Sequence, residues 1–90
     1  MEVLTMTENQ LLDKLMIGVS EKYRLTPQES KVLSMLLQGY SIPQVAAHLK
    51  ISPYTAEKHS QTVIRKLNIM YKRELPFWLL KEIETTKGMV

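Results

Sequence analysis

Apolar residues recur along this chain at helical spacing, and nowhere does a two-residue alternation persist long enough to suggest a strand. Leu11, Leu12, Leu15, Met16 and Val19 fall at i, i+1, i+4, i+5 and i+8, the pattern of an amphipathic helix from about Glu8 to Ser20. Glu21 to Arg24 then reads as a short polar connector. Thr26-Pro27-Gln28-Glu29 has the form of a helix start: threonine caps, proline suits the first turn, and glutamate three residues on closes a capping box. Val32, Leu33, Leu36 and Leu37 supply the buried face of a helix over about 27–38, and Gly39 is a good left-handed stop. Ser41-Ile42-Pro43-Gln44 repeats that logic and opens a short helix through about Leu49, with Ile42, Val45, Ala46 and Leu49 inward.

After the turn Lys50-Ile51-Ser52, Ser52-Pro53 starts a helix running to about Leu67, and Asn68 stands where a left-handed residue is needed. The last helix covers about Glu74 to Thr85. It lacks an evident cap, and Pro76 is tolerated only within its first turn. The pattern predicts five helices and no sheet, an all-α chain in which 1–24 form an N-terminal helix and connector and 25–90 form the main domain.

Two short helices joined by a three-residue turn with an apolar residue at its centre outline a helix-turn-helix, whose second helix enters a DNA major groove about 12 Å wide. Helix 53–67 has the two faces this needs. Ala56, Ser60, Val63 and Leu67 form an inner stripe, while Tyr54, Lys58, Gln61 and Arg65 recur at the same spacing on the other side. Charge sharpens the picture. The formal net charge of +3 is unevenly spread. Residues 50–73 hold Lys50, Lys58, Arg65, Lys66, Lys72 and Arg73 against Glu57 alone, whereas 1–24 and 74–90 are each slightly acidic. A local basic stretch is the footprint of a polyanion-binding face, although a solvated Lys/Arg face looks the same by charge alone.

Composition excludes other classes. Ninety residues suit one small domain, and 44% hydrophobic with 23% charged residues is ordinary for a folded soluble module. With no cysteine there is no disulfide, zinc ribbon or thiolate nucleophile, and no cofactor is expected. Apolar runs fall far short of the roughly 18 residues of a membrane span, and the acidic N-terminal stretch is unlike a secretory signal, so the expected compartment is cytoplasmic with no membrane partner. A lone histidine without a nucleophile or second ligand nearby points to structure rather than catalysis, so His59 is read as structural or phosphate-adjacent and His48 as carrying no functional signal. Met6, Met16, Met35 and Met70 read as core or boundary packing. The chain is not expected to be an enzyme.

Residues 25–69, from Leu25-Thr26 through Glu29, Val32-Leu33, Gly39, Val45-Ala46, Leu49, Ile51-Ser52, Thr55, His59 and Lys66-Leu67, resemble in register the DNA-binding domain of the LuxR/GerE family of bacterial transcription regulators. With Arg73 and Leu75 the resemblance extends to about residue 80. It implies a four-helix LuxR-type helix-turn-helix domain, here with an extra N-terminal amphipathic helix. The sequence departs from the family pattern at Gln28, Ala56, Asn68 and Glu57, positions where arginine, valine, glycine and lysine are usual or common. Glu57 matters most, because the family places that residue on the DNA-facing side, where a carboxylate accepts from cytosine N4 or turns aside.

Lys58 and Gln61, suited to guanine and adenine respectively, are therefore the expected base contacts, with Glu57 beside them. Lys50, Ser52, Tyr54, Thr55, Arg65 and Lys66 are expected on the phosphates. Leu75, Phe77, Trp78, Leu79, Leu80 and Ile83 give the last helix more apolar surface than it needs for packing. In the resembling family that helix dimerises, which would set two reading helices about 34 Å apart, and the N-terminal helix competes for the same surface. The expected function is a sequence-specific, homodimeric DNA-binding transcription regulator. The alternative is an interaction module that heterodimerises with a full-length regulator; RNA polymerase is a further possible partner. Family members resemble a longer architecture with an N-terminal sensor domain; from the 24 residues that precede the module here, none is expected.

Overall fold

The computed structural model describes residues 8–88, with side chains described for 10–85. Among these residues there are five α-helices: α1 (Glu8–Tyr23), α2 (Pro27–Leu37), α3 (Ile42–Leu49), α4 (Pro53–Lys66) and α5 (Leu75–Gly88). A 3-10 turn, Lys72–Glu74, leads into α5. Among the described residues there is no strand, and no helix is long and apolar enough to cross a membrane. Met6 lies outside the described residues.

The starts of α2 to α5 are fixed locally. Thr26 Oγ1 accepts from Glu29 N at 3.1 Å while Thr26 N donates to Glu29 Oε1 at 2.9 Å, and Ser41 and Gln44 repeat that reciprocal pair at 3.3 and 2.9 Å. Ser52 Oγ accepts from Thr55 N at 3.0 Å to cap α4. The start of α5, which showed no cap in sequence, is organised by Glu74 instead: its Oε2 accepts from Met70 N and Tyr71 N at 2.9 and 2.7 Å. That places the 3-10 turn over 72–74 and moves the helix start from Glu74 to Leu75.

Helices α1 to α4 all end the same way. A residue in the left-handed region follows each: Arg24 (φ 57°), Gly39 (94°), Lys50 (57°) and Asn68 (62°). The amide one residue further on then closes back onto the helix: Leu25 N on Ser20 O, Tyr40 N on Met35 O, Ile51 N on Ala46 O and Ile69 N on Ile64 O. These are Schellman stops, in which the closing residue is apolar and packs inward. Leu25 and Ile69 pack against one core and Tyr40 and Ile51 against the other. The expected connector at 21–24 is thus mostly helix: α1 continues to Tyr23, and Arg24 alone makes the reversal.

Two apolar clusters result. The first holds Val32, Val45, Ala46 and Ala56 between α2, α3 and α4. The second joins Met16 and Val19 of α1 to Leu33, Val63, Ile64, Leu67, Leu75 and Trp78. At the edge of the second, Glu82 of α5 is buried and accepts from Tyr23 Oη and from Lys22 Nζ, the latter at 3.3 Å. The hydrogen bond to Glu82 raises the Lys22 pKa above its ordinary value, against a smaller opposing effect of desolvation. Two apolar positions do not pack as expected: Leu11 and Met70 are exposed. Leu11 lies in the first turns of α1, and Met70 lies in the loop before α5.

Candidate nucleic-acid interface

The turn between α3 and α4 is three residues long because Lys50 adopts the left-handed conformation at once and Ser52 caps at once. Ile51 between them is drawn into the α2–α3–α4 core. This anchors the first turns of α4, and its inner stripe anchors the rest: Ala56, Ser60 and Val63 are fully buried and Leu67 nearly so. The helix is therefore held in one rotational setting. Tyr54, Lys58, Gln61 and Arg65 all lie exposed on the opposite side, as their spacing predicts.

Lys58 Nζ lies 5.4 Å from the Tyr54 ring centroid, a cation–π contact that pre-orders a long side chain on the open face. Gln61 and Arg65 are exposed, and Lys50 is exposed at the turn. Ser52 donates its hydroxyl proton to Thr55 Oγ1 at 2.9 Å while accepting the Thr55 amide, so its hydroxyl is engaged in the cap. Thr55 Oγ1 accepts from Ser52, which leaves the Thr55 hydroxyl its own proton to donate. His59 is half-buried at the edge of the face. His48, on α3, meets Tyr40 edge-on with centroids 5.2 Å apart and serves packing.

Lys66 does not face outward as expected. Its Nζ donates to Glu29 Oε1 at 2.7 Å and to Arg24 O at 3.0 Å, tying the end of α4 to the start of α2 and to the reversal after α1. Glu29 is a buried carboxylate. Its burial favours the neutral form, but the Lys66 ammonium and the Thr26 amide and side chain outweigh that and hold its pKa below the ordinary carboxylate value. Both partners of Lys66, Glu29 and Arg24, are far from it in sequence, which is why helical spacing alone left Lys66 among the solvent-facing basic residues.

Glu57 is half-exposed and its Oε2 accepts from Lys72 Nζ at 3.1 Å. Lys72 was not singled out in sequence beyond its share of the basic stretch. No fixed spacing on one element links residues 57 and 72.

The expected apolar interface divides in two. Leu75 and Trp78 are buried in this chain's own core, with Leu79 packed against it, so these three are taken up by packing rather than left for a partner. The reason is α1: Met16 and Val19 join that cluster, and the Tyr23 ring lies 5.9 Å from Trp78. Phe77, Leu80 and Ile83 stay outside, 69%, 59% and 44% exposed.

The family described as "Bacterial regulatory proteins, luxR family" matches residues 23–78, which span α2, α3, α4 and the start of α5. The chain is also 33% identical over 58 residues to the oxygen regulatory protein NreC of Staphylococcus carnosus (strain TM300), covering 64% of this chain and 27% of NreC. It thus spans about a quarter of that relative's length. No solved structure matches. With a family match over more than half its length, carried by the helix-turn-helix just described, the chain belongs to the luxR family of bacterial regulatory proteins.

Proposed function

We propose that the chain is a DNA-binding transcription regulator that inserts α4 into the major groove and reads a two-fold operator as a homodimer. The observation that carries this reading is the fixed setting of α4, whose inner stripe is buried while Tyr54, Lys58, Gln61 and Arg65 stand exposed together. Lys58 donates to guanine O6 and N7, Gln61 pairs with adenine, and Glu57 lies beside them. Lys50, Tyr54, Thr55 and Arg65 contact phosphates, and Ser52 supports them through the cap. Phe77, Leu80 and Ile83 form the apolar contact between protomers. A protein acting on the chromosome works in the cytoplasm.

The same α5 patch favours a second reading, in which this chain pairs with a different regulator or with RNA polymerase. Selection from a randomised duplex pool with the purified chain, followed by fluorescence anisotropy and light scattering, separates the two. The first reading expects a preferred duplex and a dimeric mass. Lys58→Ala then loses about 1 to 3 kcal/mol of discrimination between the selected and a scrambled duplex. Equal weakening on both duplexes removes Lys58 from base readout, and a monomer with no preferred duplex favours the second reading.

A further inference from the structure

Glu57 and Gln61 are four residues apart on α4 and so lie one above the other on the face assigned to base readout. A bare carboxylate there would face the negative field of the phosphates. It is not bare: Lys72 reaches back from the 3-10 turn and places Nζ 3.1 Å from Oε2, with the two side chains 42% and 39% exposed. The turn that carries Lys72 is held on both sides. Asn68 makes the left-handed reversal before it, Glu74 accepts the Met70 and Tyr71 amides within it, and Leu75 is buried directly after it. The lysine thus approaches Glu57 from an anchored backbone. Among the described residues, it engages Oε2, and Oε1 has no hydrogen-bond partner there.

We propose that Lys72 is a positioning residue for sequence readout: it holds and neutralises Glu57 so that α4 presents a charge-compensated acceptor, matched to the exocyclic amino group of cytosine, at the DNA surface. This rests on the reading of α4 proposed above. Glu57 then contributes preference without repelling the phosphates, and Lys72 acts through Glu57 rather than as an independent phosphate contact. The two roles predict opposite behaviour when Glu57 is made neutral. If Lys72 acts by holding Glu57, removing it matters only while Glu57 carries its charge. If Lys72 is a phosphate contact that Glu57 merely draws away, Glu57→Gln releases it and tightens binding to every duplex.

A double-mutant cycle tests this with the full chain and the duplex that the wild type selects from a randomised pool. Lys72→Ala is expected to weaken binding to that duplex about fivefold, the upper range for an exposed pair. In the Glu57→Gln background the same change is expected to cost less than about twofold. Repeating the selection with Lys72→Ala should show the cytosine preference weakened at one position of each half-site. Equal losses in both backgrounds, or tighter binding of Glu57→Gln to selected and scrambled duplexes alike, overturn the proposal. A wild type that prefers no duplex overturns instead the reading of α4 on which the proposal rests. Both side chains are half-exposed, and circular dichroism of each variant confirms that the comparison is between folded proteins.

Discussion

Replacing Lys66 by alanine separates structure from DNA contact on the same helix. Lys66 is the family-matched basic residue at the end of α4, and by spacing alone it would be a phosphate contact. In the structure its ammonium is held by Glu29 Oε1 at 2.7 Å and by Arg24 O at 3.0 Å. The Glu29 side chain is only 8% exposed and that of Lys66 33%. Removing one partner of a fully buried pair costs about 3 to 5 kcal/mol, because the remaining charge is stranded. Water reaching the lysine end reduces that, so Lys66→Ala is expected to lose about 2 to 3 kcal/mol. For a domain whose whole stability is of order 5 to 15 kcal/mol this is a large share.

Equilibrium urea unfolding followed by circular dichroism measures the loss, and DNA affinity is then scored per folded molecule. A double replacement that removes both charges, Glu29→Gln with Lys66→Met, should recover part of the loss. The reasoning is refuted if Lys66→Ala stays within about 0.5 kcal/mol of wild type while the salt dependence of DNA binding becomes shallower by about one phosphate. The pH dependence has a definite sign. The Glu29 pKa is lowered in the folded state, so its charge contributes stability above the ordinary value of 4.5 and that contribution is lost as pH falls through the folded value. Glu29→Gln should therefore show a flatter loss of stability than wild type below about pH 4.5.

Two further outcomes check the assignments around the site. Lys50 holds a left-handed conformation with φ 57°, so Lys50→Gly should stabilise the fold by about 0.5 to 1 kcal/mol in urea while lowering the log-log salt slope of DNA binding by about 0.9 per subunit. On α5, Trp78→Ala should cost about 3 to 5 kcal/mol of stability, whereas Phe77→Glu should cost under about 0.5 kcal/mol and instead shift the solution mass toward the monomer. If Phe77→Glu unfolds the chain and leaves the mass of the folded fraction unchanged, the division of α5 into an inner and an outer face is wrong.

Local chemistry explains why much of the fold was legible in sequence. Thr26, Ser41 and Ser52 cap where their residue types and following prolines say they should, and Gly39 and Asn68 stop helices because they tolerate a positive φ. Arg24 and Lys50 make the same turn without any mark on the residue itself. The legible sign in both cases is the apolar residue that follows, Leu25 or Ile51, which needs the reversal to reach the core. The outer face of α4 could be read because four side chains on one helix share a period. The ion pairs of Lys66 with Glu29 and of Glu57 with Lys72 could not be read, because each joins two separate elements. The sequence likewise showed surplus apolar surface on α5 without telling which part of it packs, since that depends on where α1 docks.

The two cores give the interface a mechanical consequence. Val32 and Leu33 are neighbours on α2, both fully buried, and each belongs to a different cluster. The reading helix is divided in the same way: Ala56 sits in the cluster with α3, while Val63 and Ile64 sit in the cluster with α1 and α5. Its N-terminal turns are therefore oriented by the helix-turn-helix, and its C-terminal turns by the same packed residues, Leu75 and Trp78, that carry the outer face of α5. In the dimer proposed above, α5 at the contact and α4 at the bases would be joined through the buried cluster of Val63, Ile64, Leu67, Leu75 and Trp78. The spacing between half-sites would then be fixed by packing at Val63, Leu67 and Trp78, and a cavity opened there would disturb operator spacing as well as stability.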